Sequence, residues 1–492
     1  MQSHTIHTLT LILCCSTLAI FPRWATALIS SPATLGIPQP VATLAQTEGT
    51  DAKKTKAEEL LETGVQQFRQ GLFREALESY EQALTIRREL GDQQGEAIIL
   101  QNMGDVYSDL RDYIQAEEVL QQALKIHQQM NNSVGIATTL NLIGFVYQQT
   151  GKIAQALTLH QQALNIAQTA GNRAEEGEAL HNLAAVYSRQ GNYQKALALY
   201  QDARKIREEV GDRRDLGRTL NNMGSIYYIV QQYEMGLEFY QQALAIRREI
   251  GDQAGVGRLL NNIGLTYRQL GDNSRALVYL KQAITILEPI GDDITLGRLL
   301  NLTGETFDEL GQYEEALELY RQGWEKIKDT SDQMGQGNAL DSLGRIHYKL
   351  GRFPQALGFL QQALTIYQSL NNPSAQSQTL KLIGIVYDCL GEYAISIERL
   401  TSALSLEQQT DDLTEQWEIM ERMGHVSQRS GNSETAQTWF NQANELKSQF
   451  PESPTRSYPL ECPQSANSNL SVRDRHESYL SIFSFGHRPI WM

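Results

Sequence analysis

The sequence predicts an all-α solenoid of ten helical hairpins, and three observations carry that prediction. A small residue recurs every 40 positions, at Gly64, Gly104, Gly144, Ala184, Gly224, Gly264, Gly304, Gly344, Gly384 and Gly424. Counted from each of these markers, a second small residue falls 12 positions on, from Ala76 to Ala436 with Gly236 and Ser396 as variants. A third falls 19 positions on, from Ala83 through Gly323 to Ala443. Of the 12 prolines, nine lie before residue 57 or after residue 447, so the stretch between is nearly free of the residue that breaks helices.

Composition narrows the function classes. The 492 residues carry 42 Lys and Arg against 57 Asp and Glu, a net charge of −15 that argues against nucleic acid as a partner. Hydrophobic residues make up 41% and charged residues 20%, which excludes global disorder and a multi-span membrane protein.

Residues 1–27 read as a signal peptide. The apolar run LTLILCCSTLAIF, residues 9–21, is too short to span a bilayer but matches a signal core, and Ala25-Thr26-Ala27 supplies a cleavage site. The run departs from the usual pattern in having no Lys or Arg among its first eight residues and in placing Arg23 after the core. Cleavage implies export, periplasmic or secreted, with no integral span in the mature chain; without it the chain is cytoplasmic. Leu13 precedes Cys14, and Cys14 precedes Cys15, where a lipoprotein needs a small residue. Residues 28–52, with Pro32, Pro38 and Pro40, read as a linker, and residues 53–450 as the array.

Within a unit the apolar spacing is helical twice over. Leu260, Ile263, Gly264 and Tyr267 form one stripe, and Ala276, Leu277, Leu280, Ala283 and Ile284 a second. Gly271 and its counterparts at 151, 191, 311, 351, 391 and 431 punctuate the turn between the two helices, where Arg111 and Gln231 are the exceptions. Between units the pairs Gly91-Asp92, Gly211-Asp212, Gly251-Asp252 and Gly291-Asp292 read as a helix end followed by a cap. An aromatic three residues after the marker, as at Tyr107, Tyr147, Tyr227 and Tyr267, is expected to fill the space between hairpins. Ser427, Ser433 and Gln437 make the tenth unit polar, as a solvent-facing cap requires. Pro451, Pro454, Pro459 and Pro463 stop the helical pattern. Residues 451–492 read as a disordered tail whose apolar Tyr479, Ile482, Phe483, Phe485 and Trp491 lack a period; it docks on the array or stays mobile.

Gly264, Tyr267, Ala276, Leu280 and Ala283 resemble the small, aromatic and alanine positions of the tetratricopeptide repeat. The resemblance implies a right-handed superhelix with its first helices lining a concave groove. The 40-residue period is longer than the common form and is similar to the long-repeat type of the kinesin light chain and of bacterial arrays. Bacterial proteins of this kind often carry a caspase-like peptidase domain behind the repeats, for which the final residues here are too few.

Chemistry-bearing motifs are scarce. Gly255-Val256-Gly257 lacks the third glycine of a dinucleotide loop, and no strand precedes it. Gly151-Lys152 is followed by Ile153 and not by the Ser or Thr of a phosphate loop. His127, His160, His181, His347 and His425 occupy varied positions and read as packed or surface residues. Cys14, Cys15, Cys389 and Cys462 are too few and too scattered for a disulfide framework or a zinc site, and Cys389 reads as a packing residue. No enzyme activity, metal or cofactor is implied.

One polar pattern rises above the architecture. Arg218, Arg258 and Arg298 stand six residues before the marker, Asn221, Asn261 and Asn301 three before it, and Asn222 and Asn262 two before it. On a helix these share one face. In the resembled long-repeat type such asparagines grip extended peptide, since amides pair with both backbone groups of a strand, while Arg binds carboxylates in a fork. The competing reading is that the arginines pair locally with acids such as Asp215. The expected function is a protein-interaction scaffold binding extended or acidic peptide segments, with other proteins or peptides as partners and the oligomeric state open. Alternatives are a regulatory or sensor component whose catalytic domain is on another chain, and an envelope assembly factor.

Overall fold

The computed structural model describes residues 41–410, 413–449 and 462–463. These residues fold into helices without a strand among them, in two compact units, residues 1–252 and 253–492.

The first unit holds five hairpins: α1 (Val41–Arg69) with α2 (Phe73–Leu90), α3 (Gln93–Asp109) with α4 (Tyr113–Gln129), α5 (Ser133–Gln149) with α6 (Ile153–Thr169), α7 (Arg173–Arg189) with α8 (Tyr193–Val210), and α9 (Arg213–Ile229) with α10 (Tyr233–Glu249). The second holds α11 (Gln253–Gln269) with α12 (Asn273–Leu287), α13 (Asp293–Glu309) with α14 (Tyr313–Ile327), α15 (Gln333–Lys349) with α16 (Phe353–Ser369), α17 (Pro373–Cys389) with α18 (Tyr393–Thr410), and α19 (Leu413–Arg429) with α20 (Ser433–Ser448). A 3₁₀ turn, Glu288–Ile290, follows α12 where Pro289 ends the α-helical ladder.

The small residues permit this pairing. A Cβ added to Gly264 would come within 2.7 Å of Leu280, and one added to Gly104 within 2.6 Å of Leu120, so the second helix presses its large side chain directly onto the marker. Ala76, Ala116, Ala276 and Ala356 are fully buried on the facing helix. Ring stacking is mostly internal to a hairpin: Tyr227 lies 5.3 Å from Phe239, and Tyr267 5.3 Å from Tyr279. The aromatic after the marker also packs between hairpins as expected, Phe307 against a cluster that includes Leu343 and Ile346 of the next hairpin, and the Tyr147 hydroxyl donates to Glu117 of the preceding hairpin at 2.6 Å.

Turn chemistry follows the sequence. Gly91 takes the left-handed conformation at φ 63°, after which Asp92 accepts the Gly95 N–H at 2.9 Å and opens α3. Arg111 and Gln231 adopt the same left-handed backbone, φ 61° and 62°, that glycine takes at the equivalent turns. In the first unit the first helices of successive hairpins touch, as α3 touches α5, and in the second α13 touches α15 and α15 touches α17, so first helices form the inner layer.

Three readings need correction. α1 begins at Val41, so residues 41–52 of the expected linker are helical; after Pro40 the stretch holds no further proline, and Gly49 is carried within the helix. Ser427 is buried, 3% exposed, so of the three polar residues expected on the surface of the tenth hairpin only Ser433 and Gln437 are there. Cys389, the last residue of α17, is disulfide-bonded to Cys462 across 73 positions of sequence, with the Cα atoms 5.5 Å apart. It also packs against the core of the last three hairpins. The bond ties one point of the expected disordered tail to the ninth hairpin; residues 450–461 and 464–492 and the signal core lie outside the described residues. Among the described residues no helix is long and apolar enough to cross a membrane.

Candidate peptide-binding face

All eight residues of the arginine and asparagine pattern lie on first helices, as their register requires, and none is fully exposed. Arg218, Asn221 and Asn222 stand on α9 in the first unit; Arg258, Asn261 and Asn262 on α11, and Arg298 and Asn301 on α13, in the second.

In the first unit the polar groups are turned inward. Arg218 donates from Nη2 to Glu178 Oε2 at 2.5 Å and lies 3.5 Å from Asp215 Oδ1. Glu178 also accepts from Arg207 Nη2 at 2.7 Å. Arg207 is 1% exposed and donates further to the Asp215 carbonyl at 2.9 Å and to the Thr219 hydroxyl. Its Nη1 is also 2.9 Å from His181 Nδ1, which must accept there. Burial, then Arg218 and Arg207, hold His181 well below the usual imidazole range, so the ring is neutral. Burial opposes the charge on Arg218, but Glu178 and Asp215 outweigh it and keep the guanidinium ionised. Asn221 donates to Asn222 at 3.3 Å, and Asn222 to the Tyr200 hydroxyl at 3.2 Å. The local pairing with Asp215 is therefore present, with Glu178 as the stronger partner. Sequence reasoning missed Glu178, although it stands 40 residues before Arg218 in the same register.

In the second unit the two arginines differ. Arg298 forks onto Asp332, Nε to Oδ2 and Nη2 to Oδ1, both at 2.7 Å. Asp332 is the N-cap of α15 and accepts the Gly335 N–H at 3.0 Å. Asn301 is 8% exposed and donates to Glu305 at 3.2 Å, leaving its own Oδ1 buried without a donor. Arg258 is half-buried and has no ion pair or hydrogen bond among the described residues; the same holds for the side chain of Asn261, one turn further along α11. Of the three arginines, Arg258 alone keeps its donors uncommitted.

Among the described residues His127, His160 and His347 are buried, packed groups. His160 is fully buried, its Nδ1 3.0 Å from Asn141 Oδ1, and burial lowers its pKa to about 4. Among the described residues no group of three or more His, Cys, Asp or Glu could hold a metal ion.

Helical hairpins at a 40-residue period, closed by small residues and lined on the inner layer by polar side chains, define a helical-repeat protein of the tetratricopeptide class. The tetratricopeptide repeat profile matches residues 60–129, 135–209, 215–288 and 335–409, more than half of the chain, and the chain belongs to that family. The hairpin α13–α14 falls between matched stretches yet keeps the same contact, with Gly304 under Tyr320. Among curated proteins none matches significantly. Two solved structures show the same fold. A signal-transduction ATPase with numerous domains (STAND) protein with a tetratricopeptide repeat sensor, from Pyrococcus horikoshii, is 14% identical with a TM-score of 0.57, covering 84% of this chain and 66% of that one. The apo form of RapI is 14% identical with a TM-score of 0.59, covering 72% of this chain and 98% of its own. The chain thus spans just under two thirds of the length of the first.

Proposed function

We propose that the chain is a non-catalytic interaction scaffold that takes an extended, acidic segment of a partner protein on the first helices of its second unit. The observation that carries this reading is the pair Arg258 and Asn261, one helical turn apart on the inner layer and uncommitted to any described neighbour. A guanidinium offers a fork to a carboxylate, and an amide pairs with both backbone groups of a strand. Arg298, already matched by Asp332, contributes its charge only if a ligand displaces that partner. Arg218, Asn221 and Asn222 hold their own helices together more than they offer donors.

The test is binding of the native partner, captured from the source cells, to Arg258→Ala and Asn261→Ala. We expect affinity to fall about 10-fold for Arg258→Ala, the size of one charge-assisted contact, with a shallower salt dependence. Asn261→Ala should weaken binding without changing that slope. Wild-type affinity in both variants would remove α11 from the ligand face. A sensor role, in which the occupied array reports to a catalytic chain, is the second reading; a STAND protein with a tetratricopeptide repeat sensor shares this fold. Export is supported by the Cys389–Cys462 bond, because such bonds persist in oxidising compartments.

A further inference from the structure

The inner layer of the first unit carries two carboxylates that nothing in the fold neutralises. Asp105 and Asp109 lie one turn apart on α3, and neither makes an ion pair or hydrogen bond among the described residues. Asp105 is 8% exposed and Asp109 half-buried. Asn102, one turn before Asp105, is 5% exposed and equally uncommitted. The Tyr80 hydroxyl belongs to a fully buried side chain on α2, within electrostatic reach of Asp105, and among the described residues it has no hydrogen-bond partner. Its repeat equivalent Tyr200 does have one, in Asn222 at 3.2 Å. Asn102 is the residue that corresponds to Asn222, 120 positions earlier, so the same furniture stands here with its central bond unmade.

Like charges one turn apart destabilise a helix, and buried carboxylates without partners cost more. The nearby charges do not relieve this. Arg69 on α1 reaches Tyr80 electrostatically but forms no ion pair among the described residues. Glu178 on α7 adds negative charge at Asp105 and is itself held by Arg207 and Arg218.

We infer that Asp105, Asp109, Asn102 and the Tyr80 hydroxyl form a receptor for one organic cation, a guanidinium or alkylammonium group carried by a basic peptide side chain or by a polyamine. The carboxylates accept its N–H donors and supply the countercharge, while Asn102 and Tyr80 fix their orientation. Metal ions are disfavoured, because among the described residues no third acid converges on the pair. The receptor lies in the first unit and does not depend on the acidic-segment reading at Arg258.

Burial holds the Asp109 carboxyl up at about 7, and burial together with Asp109 and Glu178 raises Asp105. A bound cation favours the ionised forms, so binding releases protons. The experiment is isothermal titration of the full chain with spermidine and, separately, with a capped tri-arginine peptide, at pH 6 and pH 8 in two buffers of different ionisation enthalpy. We expect at least one probe to bind, several-fold more tightly at pH 8 and with proton release at pH 6. Asp105→Asn and Asp109→Asn should each weaken it at least 10-fold. Glu118→Gln, an exposed acid on α4, and Arg258→Ala should leave it unchanged. Binding of spermidine alone assigns the receptor to polyamines, and binding of the peptide alone assigns it to a basic segment. The asparagine variants remove repulsion and should fold at least as stably as wild type, which circular dichroism checks. No binding by either probe, or equal binding by Asp105→Asn and wild type, overturns the proposal.

Discussion

Gln231 shows what a single residue contributes to a repeat. It stands at a turn where glycine is the norm and takes φ 62°, a conformation that costs an L-residue roughly 1–2 kcal/mol. Gln231→Gly relieves that strain but adds backbone freedom to the unfolded chain, so we expect a net gain of ~0.5–1 kcal/mol in denaturant unfolding. Asp109 provides a pH readout. Its folded carboxyl is raised to about 7, whereas an unfolded Asp titrates near ~3.9. The folded state therefore holds a proton that the unfolded state gives up, and this group's contribution to stability falls as pH rises from ~4 through ~7. Asp109→Asn should match wild type at pH 4 and exceed it at pH 8 by on the order of 1 kcal/mol or more, measured by urea unfolding at both pH values. Glu178 works in the opposite sense, since it is the shared partner of Arg207 and Arg218. Glu178→Ala removes the carboxylate that two buried guanidinium groups share and should cost ~3 kcal/mol. These roles were legible only in part: the 40-residue register puts Glu178 before Arg218 but an arginine, Arg218, before Arg258, whereas Asp292 stands as far after Arg258 as Asp332 after Arg298, so the sequence does not say which of those two arginines is paired. That difference comes from which acid happens to lie within reach, at residues 178 and 332, and so from packing.

At the scale of the helical element, the marker position decides how closely two helices approach. Gly264 faces Leu280 and the Ala276 carbonyl, the latter 3.3 Å from where a Cβ would stand. Gly264→Leu must therefore push the hairpin apart, and we expect a loss of at least ~1–3 kcal/mol. Gly358 on α16 is the internal control, because a Cβ there would meet nothing within 4 Å; Gly358→Ala should gain ~0.5–1 kcal/mol through helix propensity alone. Paired denaturant melts of the two variants separate close approach from backbone entropy. Element existence was legible because the period repeats ten times in phase, and a pattern copied that often overrides local ambiguity. Element ends were less so: α1 extends back to Val41 because residues after Pro40 tolerate helix, a permission that composition had hidden under the prolines before it.

At the scale of the whole molecule, a repeat array gains its stability from each hairpin and its immediate neighbours, so damage in one place should stay there. The Cys389–Cys462 bond breaks that rule by joining positions 73 residues apart. Two lone cysteines in different compositional regions give no spacing signal, which is why the sequence left Cys389 as a packing residue. In the chain-entropy account, closing a loop of this length restricts the unfolded ensemble by ~4 kcal/mol. The closed loop runs from the last residue of α17 through α18–α20 and the segment after them, and the hairpin that α17 makes with α18 opens with it; this is the part of the array whose last hairpin has a neighbour on one side only among the described residues. Cys462→Ser, or reduction of the wild-type chain, should therefore speed amide exchange in α17–α20 by several orders of magnitude under conditions where hairpins open locally. Exchange in α1–α8 should not change, since no contact of those hairpins involves the bond. Mass-spectrometric hydrogen exchange with and without reductant reads both regions in one experiment. A uniform change along the chain would mean that the array unfolds as one cooperative body, and no change in α17–α20 would mean that their packing against the core around Trp417 already suffices to hold them.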